Sequence, residues 1–337
     1  MTYTIIIAII MFAILIAVHE FGHLIAAKSV GIKVYEFAIG MGPALFSKEK
    51  GGTLYSLRLF PIGGYVSMEE EDEKSPESFT QKSNWQKILV VAAGAIMNLI
   101  AALVILIVMY LISGVPVDTN EIGTVFQDMP AYKAGLEAGD KVVSIDGKEI
   151  TSWTDISESI GQAEAEQPLN IGYIKKGESE ITYASIAVDT SEERPQIGIR
   201  QKHQPDILYA LKYGFLEMIE LTKLMGESFQ MIFTGQVGMN DVVGPVGIVT
   251  VVDQVVQYGL LNVLYLTALI SLNLAIVNIL PLPALDGGRL LFLLIQVIIR
   301  RPIDPEKEMK IHYAGFIVLI IFLVLITIKD INQFILN

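Results

Sequence analysis

Ile14-Leu15-Ile16-Ala17-Val18-His19-Glu20-Phe21-Gly22-His23-Leu24-Ile25-Ala26-Ala27 reads as the last turns of an apolar helix into which three ionisable side chains have been set. The run ends a longer apolar stretch, Tyr3 to Ala27, which exceeds the roughly 20 residues needed to cross a bilayer at about 1.5 Å each. Charged groups inside a span cost about 2.5 to 3.5 kcal/mol each on insertion scales, so their presence marks a functional site. His19 and His23 are i and i+4, and their imidazoles leave one helix face about 6 Å apart along the axis. That spacing suits two ligands of one zinc ion. Glu20, beside His19, stands where the His-Glu-x-x-His pattern puts the group that takes a proton from the attacking water. Two structural histidines and a chance acid are the alternative, in a chain with only four histidines: His19, His23, His203 and His312.

The composition frames this reading. Of 337 residues, 52% are hydrophobic and 18% charged, with a mean hydropathy of +0.52, too apolar for an ordinary soluble globule. The net charge of −12 offers no basic field for a phosphate backbone, which excludes nucleic acid as a partner. Cysteine is absent, so disulfides, thiolate catalysis and Cys-based metal sites are excluded, and any metal must be held by His, Asp or Glu.

Four stretches can cross a membrane: Tyr3 to Ala27, Ile88 to Ile112, Leu260 to Leu285 and Ile311 to Ile328. No basic region precedes the first, and its polar run stands where a signal-peptide cleavage site would be, so it reads as a retained span. The segment Lys28 to Lys87 carries eight Lys and Arg, and Arg300, Arg301, Lys307 and Lys310 follow the third span. Both loops are therefore expected on the cytoplasmic side, the acidic run Glu69 to Glu73 notwithstanding. Both termini and the long connection after span two then face outward.

From Gly114 to about His203 the apolar excess disappears. Ala134-Gly135-Leu136 and Gly139-Asp140-Lys141-Val142-Val143-Ser144-Ile145-Asp146-Gly147 form a strand closed by an Asp-Gly turn, a strong hairpin signal. The stretch resembles a PDZ domain of bacterial membrane proteases, a fold that captures extended peptide termini by strand addition. A packing module with an unused groove is the alternative. Residues 206–235, apolar on one side with Lys212, Glu220, Lys223 and Glu227 on the other, read as an interfacial amphipathic helix. Gly244-Pro245-Val246-Gly247-Ile248 reads as a turn leading into span three.

A catalytic zinc needs a third protein ligand and an open position. His203 falls in the external domain, and His312 reads as an interfacial anchor at the start of span four. Asp286 follows Pro281 and Pro283, which break the third span, and heads a new apolar helix, 289–299. It is the ligand candidate, with an N-cap role as the alternative. Spans one and three both run inward, which brings Asp286 to the depth of His19 and His23.

An HExxH in the first span, a PDZ-like stretch after the second, and Asn278-x-x-Pro281-x-Pro283-x-Leu285-Asp286-Gly287-Gly288 at the third resemble the site-2 protease family of intramembrane zinc metalloproteases. The bacterial sigma-E-regulating branch is most similar, although there is room here for one PDZ domain where that branch's best-known form has two. The resemblance implies one Zn2+ per chain on His19, His23 and Asp286, and Glu20 as catalytic acid/base. It implies that Asn273 and Asn278 orient substrate, with Pro281 and Pro283 of the same motif as further substrate-binding candidates. Interhelical hydrogen bonding is the alternative for the two asparagines. The Gly-rich region 39–68, with Tyr55, Leu57 and Leu59 alternating against Ser56 and Arg58, corresponds in the family to a membrane-associated β-structure, whose edge can hold substrate as a strand.

The expected fold is an α-helical polytopic membrane protein with four transmembrane helices, a membrane-associated β-structure near the active site and an inserted extracytoplasmic α+β PDZ domain. Its segments are 1–112 with the β-loop 28–87, 113–204 for the PDZ domain, 205–259 for helix and linker, and 260–337. The expected activity is regulated intramembrane proteolysis in a bacterial cell membrane, with the active site toward the cytoplasm. Substrates would be transmembrane proteins, anti-sigma-factor-like after a first cleavage or remnant signal peptides, and the PDZ domain would meet a peptide or substrate terminus. A non-catalytic PDZ-bearing membrane scaffold or quality-control adaptor is the competing reading.

Overall fold

The computed structural model describes residues 2–68, 75–163, 167–189, 195–236, 238 and 243–334. The acidic run Glu69 to Glu73 lies outside the described residues. The chain divides into two compact units, one of Met1–Met109 with Lys212–Asn337 and the other Tyr110–Leu211.

Helix α1 (Thr2–Ser29) is apolar apart from a few polar side chains, His19, Glu20, His23 and Lys28 among them, and stops where Gly31, at φ 72°, takes the left-handed conformation. The amides of Gly31 and Ile32 return to the carbonyls of Lys28 and Ala27, so the last turn is closed by backbone and Ile32 is buried against it. Strands β1 (Glu36–Lys50) and β2 (Thr53–Ser67) form one sheet whose register doubles back. Phe37 is aligned with both Tyr55 and Val66, and Ile39 with both Leu57 and Gly64, so residues 36–39 lie between two stretches of β2. The paired backbone meets the condition for β-structure at membrane depth. The alternation faces opposite to a soluble hairpin, with Ser56 and Thr53 buried while Leu57, Leu59 and Phe60 are exposed. Inside the curl, the Glu36 carboxylate accepts from Arg58 at 2.7 Å, from the Tyr65 hydroxyl at 2.6 Å and from Ser56. Burial alone would raise the pKa of Glu36, but the hydrogen bonds from Ser56, Tyr65 and Arg58 hold it below its ordinary value.

After a 3-10 turn at Phe79–Gln81, α2 (Asn84–Ser113) starts with a reciprocal cap. Gln86 Oε1 accepts from the Ser83 amide, and the Gln86 amide donates to Ser83 Oγ. The unit resumes in α5 (Ile207–Phe233), α6 (Pro245–Gln257), α7 (Leu260–Ile279), α8 (Asp286–Ile299) and α9 (Pro305–Phe334). Helices α1, α2, α7 and α9 are long and apolar enough to span a membrane. The third ends at Ile279 rather than at Leu285, because Leu280 precedes Pro281 and takes an extended ψ of 140°.

Two further expectations are corrected. The segment read as an interfacial helix packs along two spans. Leu221 of α5 is buried in one cluster with Ala102 and Leu106 of α2 and Ala268 and Leu272 of α7, and Gly214 lies so close to Ile107 that a Cβ would sit 3.0 Å from its backbone nitrogen. Part of its apolar side is covered by these helices, while Phe215, Leu216 and Leu224 remain exposed. The Gly244 run begins a buried helix, not a turn. Gly244 is the N-cap of α6, Pro245 its first residue, and the Gly247 amide donates to Asp330 Oδ2 at 2.7 Å. A fully buried carboxylate on α9 thus serves one of the orphan amides of α6.

The Tyr110–Leu211 unit has its own core, with Ile122, Leu136, Val142, Ile156, Ile171 and Ile186 among its buried members. Strand β3 (Val115–Pro116) pairs with β10 (His203–Gln204), which carries His203, and β4 (Ile122–Val125) pairs with β9 (Ile199–Gln201). A four-stranded antiparallel sheet has the order β6-β5-β7-β8, from β5 (Lys141–Ile145), β6 (Lys148–Glu149), β7 (Leu169–Ile174) and β8 (Ile181–Ile186). Asp146 and Gly147, at φ 50° and 82°, make the tight turn that the Asp-Gly pair requires. Helices α3 (Pro130–Lys133) and α4 (Trp153–Gly161) complete the unit, and α4 begins in a capping box of Ser152 and Asp155.

Candidate metal centre

The helical period puts His19 and His23 on one face of α1. One backbone carbonyl decides which ring atom His23 presents. His23 Nδ1 lies 2.8 Å from the Val90 carbonyl of α2, which makes Nδ1 the protonated nitrogen and leaves Nε2 with a free lone pair. His19 Nδ1 is 3.4 Å from the side-chain nitrogen of the buried Asn98, whose backbone carbonyl accepts from the Ser271 hydroxyl of α7 at 2.8 Å. The rings fit because α2 has no side chain at Gly94. A Cβ there would overlap His23 Nε2 and stand 2.6 Å from Cε1 of His19.

The third member arrives from the other end of the chain. Between α7 and α8 the backbone turns through Pro281 to Leu285, with Ala284 left-handed at φ 76°. The N-cap of α8 is Leu285 and makes no side-chain cap, so Asp286 is inside the helix and its carboxylate is not spent on capping. Asp286 Oδ2 is 3.1 Å from His19 Nε2 and 3.3 Å from His23 Nε2, and the two Nε2 atoms are 3.2 Å apart. A triangle with sides near 3.3 Å is one face of a tetrahedron whose bonds to a central ion are about 2.0 Å, the length zinc makes to imidazole and carboxylate. Oδ2 is buried and has no good hydrogen bond of its own, so the chemistry of the donor set also fits a cation. Among the described residues, this is the group of His, Asp and Glu side chains gathered closely enough to hold a metal ion.

Glu20 lies within electrostatic range of His23, His19 and Asp286. Its Cγ would stand 3.0 Å from a Cβ at Gly64, so the 64–67 stretch of β2 runs past the catalytic candidate. The asparagines are placed differently. Asn273 is exposed on α7 and Asn278 half-buried near its end, and neither forms a hydrogen bond with the described residues, which removes the interhelical-bonding alternative there. Pro281 is exposed, whereas Pro283 packs on α9, where a Cβ at Gly315 would lie 2.9 Å from its backbone carbon.

His312, expected as an interfacial anchor, also makes contacts within the protein. Its Nδ1 accepts the Ala284 amide at 3.0 Å, and its ring lies 5.7 Å from that of Phe292. Val90, Gly94, Asn98 and His312 were all missed by sequence reasoning. A backbone carbonyl and an absent side chain leave no motif. Asn98 alone had a signal, an amide in a span otherwise free of charge.

Comparison with known proteins identifies the family. The family description Peptidase family M50 matches residues 7–322. A protein of Clostridium acetobutylicum is 36% identical over 335 residues, covering 98% of this chain and 97% of that one. The regulator of sigma-W protease RasP of Bacillus subtilis is 32% identical, over 88% of this chain and 91% of that one. A PDZ domain of the SdrC-like protein Lmo2051 from Listeria monocytogenes is 28% identical over 26% of this chain and 90% of that chain, with a TM-score of 0.23. Matched over nearly its whole length, the chain belongs to peptidase family M50.

Proposed function

We propose that this M50 zinc metalloprotease hydrolyses peptide bonds in or beside the transmembrane helix of single-span membrane proteins, with His19, His23 and Asp286 as the zinc ligands and Glu20 as general acid/base. The observation that carries the reading is the triangle of two Nε2 atoms and one Oδ2, drawn from residues 263 apart in the chain, beside a carboxylate inside a span. It also argues against the scaffold alternative, which gives these groups no reason to converge.

Bound zinc supplies a Lewis acid for the scissile carbonyl and for the attacking water. The Val90 carbonyl orients the His23 imidazole. Glu20 accepts the proton of the water and delivers it to the leaving amine. A helix hides its own carbonyls, so the substrate must be unwound before attack. The 64–67 stretch of β2 pairs with 36–39 on one side and with no other strand among the described residues, so its free edge beside Glu20 can take the substrate as an added strand. Asn273, Asn278 and Pro281, exposed or half-buried without partners, remain substrate contacts in this reading.

The Lys- and Arg-rich loops support an orientation with the metal centre toward the cytoplasm and the Tyr110–Leu211 unit outside. That unit is read as a PDZ domain from its Ala-Gly-Leu, Gly-Asp and Asp-Gly sequence, and it would receive the terminus of a substrate already trimmed by another protease. Remnant signal peptides have the same chemistry as anti-sigma-factor-like proteins, and substrate profiling in a deletion strain separates the two. Purified Glu20→Gln should keep its zinc and lose cleavage of a model transmembrane substrate by at least about 10²-fold. Full activity in that variant would end the proposal.

A further inference from the structure

The β1–β2 sheet and the end of α1 line an open groove of about 690 Å³, outside the metal centre, that the protease reaction does not use. Its lining divides by chemistry. Lys28, Lys48 and Lys50 supply three ammonium groups, while Phe37, Phe46 and Leu57 supply apolar wall. Among the described residues, no carboxylate lines it. Lys28 donates to the Tyr55 hydroxyl at 3.0 Å, whereas Lys48 and Lys50 are exposed and form no ion pair among the described residues. Phe46 and Leu57 are 65% and 50% exposed, in a sheet whose outward face is apolar.

Lys28 is in the last turn of a spanning helix, which sets this mouth at a membrane interface whichever way the chain is inserted. An amphipathic groove at that depth meets headgroups at one end and acyl chains at the other. We propose that Lys28, Lys48 and Lys50 bind the phosphate of an anionic phospholipid, whose acyl chain lies along Phe46 and Leu57. Three unmatched positive charges select an anion over a zwitterion, lysine being a point-charge partner for phosphate. The walls distinguish a lipid from a free phosphate ester. Because residues 36–39 join this part of the sheet to the 64–67 stretch beside Glu20, lipid here would steady the strand on the substrate side. The site depends on the chain being embedded in a bilayer and not on the assignment of Glu20 or the zinc ligands.

The test uses the full-length protein equilibrated with mixed phosphatidylglycerol and phosphatidylcholine vesicles, with retained lipid measured by native mass spectrometry. Wild type should retain phosphatidylglycerol preferentially, and the double variant Lys48→Gln, Lys50→Gln should retain it at least about fivefold less, with Lys48→Arg, Lys50→Arg restoring it. Both positions are exposed, and an unchanged melting temperature verifies that the fold is kept. Equal retention by wild type and the Gln variant overturns the proposal, as does displacement by soluble glycerol phosphate without regard to acyl chains. If the Gln variant instead loses cleavage equally in phosphatidylcholine and phosphatidylglycerol bilayers with lipid retention unaltered, the lysines serve an acidic segment of substrate and the lipid site is refuted.

Discussion

His312 Nδ1 accepts the amide of Ala284 at 3.0 Å, and Ala284 holds a left-handed φ of 76° two residues before Asp286. A β-carbon in that conformation costs about 1 kcal/mol, so the turn persists because something outside it holds the amide. The histidine on α9 therefore sets where the Asp286 carboxylate stands. His312→Leu is expected to lower zinc affinity by about 10- to 100-fold, measured by chelator competition, while the spans remain folded. His312→Asn, which keeps an acceptor, should recover part of the loss. Unaltered affinity in His312→Leu would show that the turn is rigid by itself.

The contact of Gly94 with both imidazoles predicts a large effect from a single methyl group. Gly94→Ala drives a carbon into His23 Nε2 and the His19 ring, so bound zinc should fall well below one per chain. Gly226→Ala is the control, because nothing lies within 4 Å of its added carbon and α5 is helical there. That variant should gain up to about 1 kcal/mol in denaturant unfolding.

Asp330 is fully buried on α9, accepts the Gly247 amide and pairs with Lys329 at 3.1 Å. Asp330→Leu leaves the amide at the start of α6 unserved and should cost about 1 to 3 kcal/mol, read from unfolding in mixed micelles. Asp330→Asn, which retains an oxygen acceptor, should cost less.

In the Tyr110–Leu211 unit, hydrogen bonds from Thr151 and Ser152 hold the Asp155 carboxyl down to about 2, against an ordinary 3.8. A depressed carboxylate stabilises the fold above its ordinary value. That contribution is therefore complete above about pH 4 and is lost as the pH falls through about 2. Fluorescence of Trp153, at the first turn of the same helix, would report it in a Trp85→Phe background, since the chain has two tryptophans. Asp155→Asn should flatten the pH dependence of unfolding over this interval.

Much of the centre was legible because it is written in side chains with strong costs. Two histidines and a glutamate in a span cannot be neutral passengers, and two prolines before Asp286 had to end a helix. The reading of Asp286 as a ligand rather than an N-cap needed only the depth of two spans, and the cap falls on Leu285. What escaped was written in backbone or in packing. The Val90 carbonyl has no residue type, and the close approach of α1 to α2 depends on hydrogen atoms at Gly22 and Gly94, where a Cβ at Gly22 would stand 2.9 Å from Met97 Cβ. Helix α6 escaped because Gly244 and Pro245 spell both a turn and a helix start. Only the burial of Gly247 and Val252 decides between them. The amphipathic pattern of α5 gave the right apolar side but not its neighbour, since hydrophobicity alone does not distinguish lipid from helix.

The separation of the ligands along the chain also governs biogenesis. A ribosome that has delivered α1 has delivered both imidazoles, yet the carboxylate is 263 residues further on and its brace, His312, later still. A nascent or truncated chain inserted in the membrane therefore carries only two of the three proposed ligands. On the proposed ligand set, proteolytic competence arrives only with the last quarter of translation, so the order of synthesis itself keeps the partly made chain inactive.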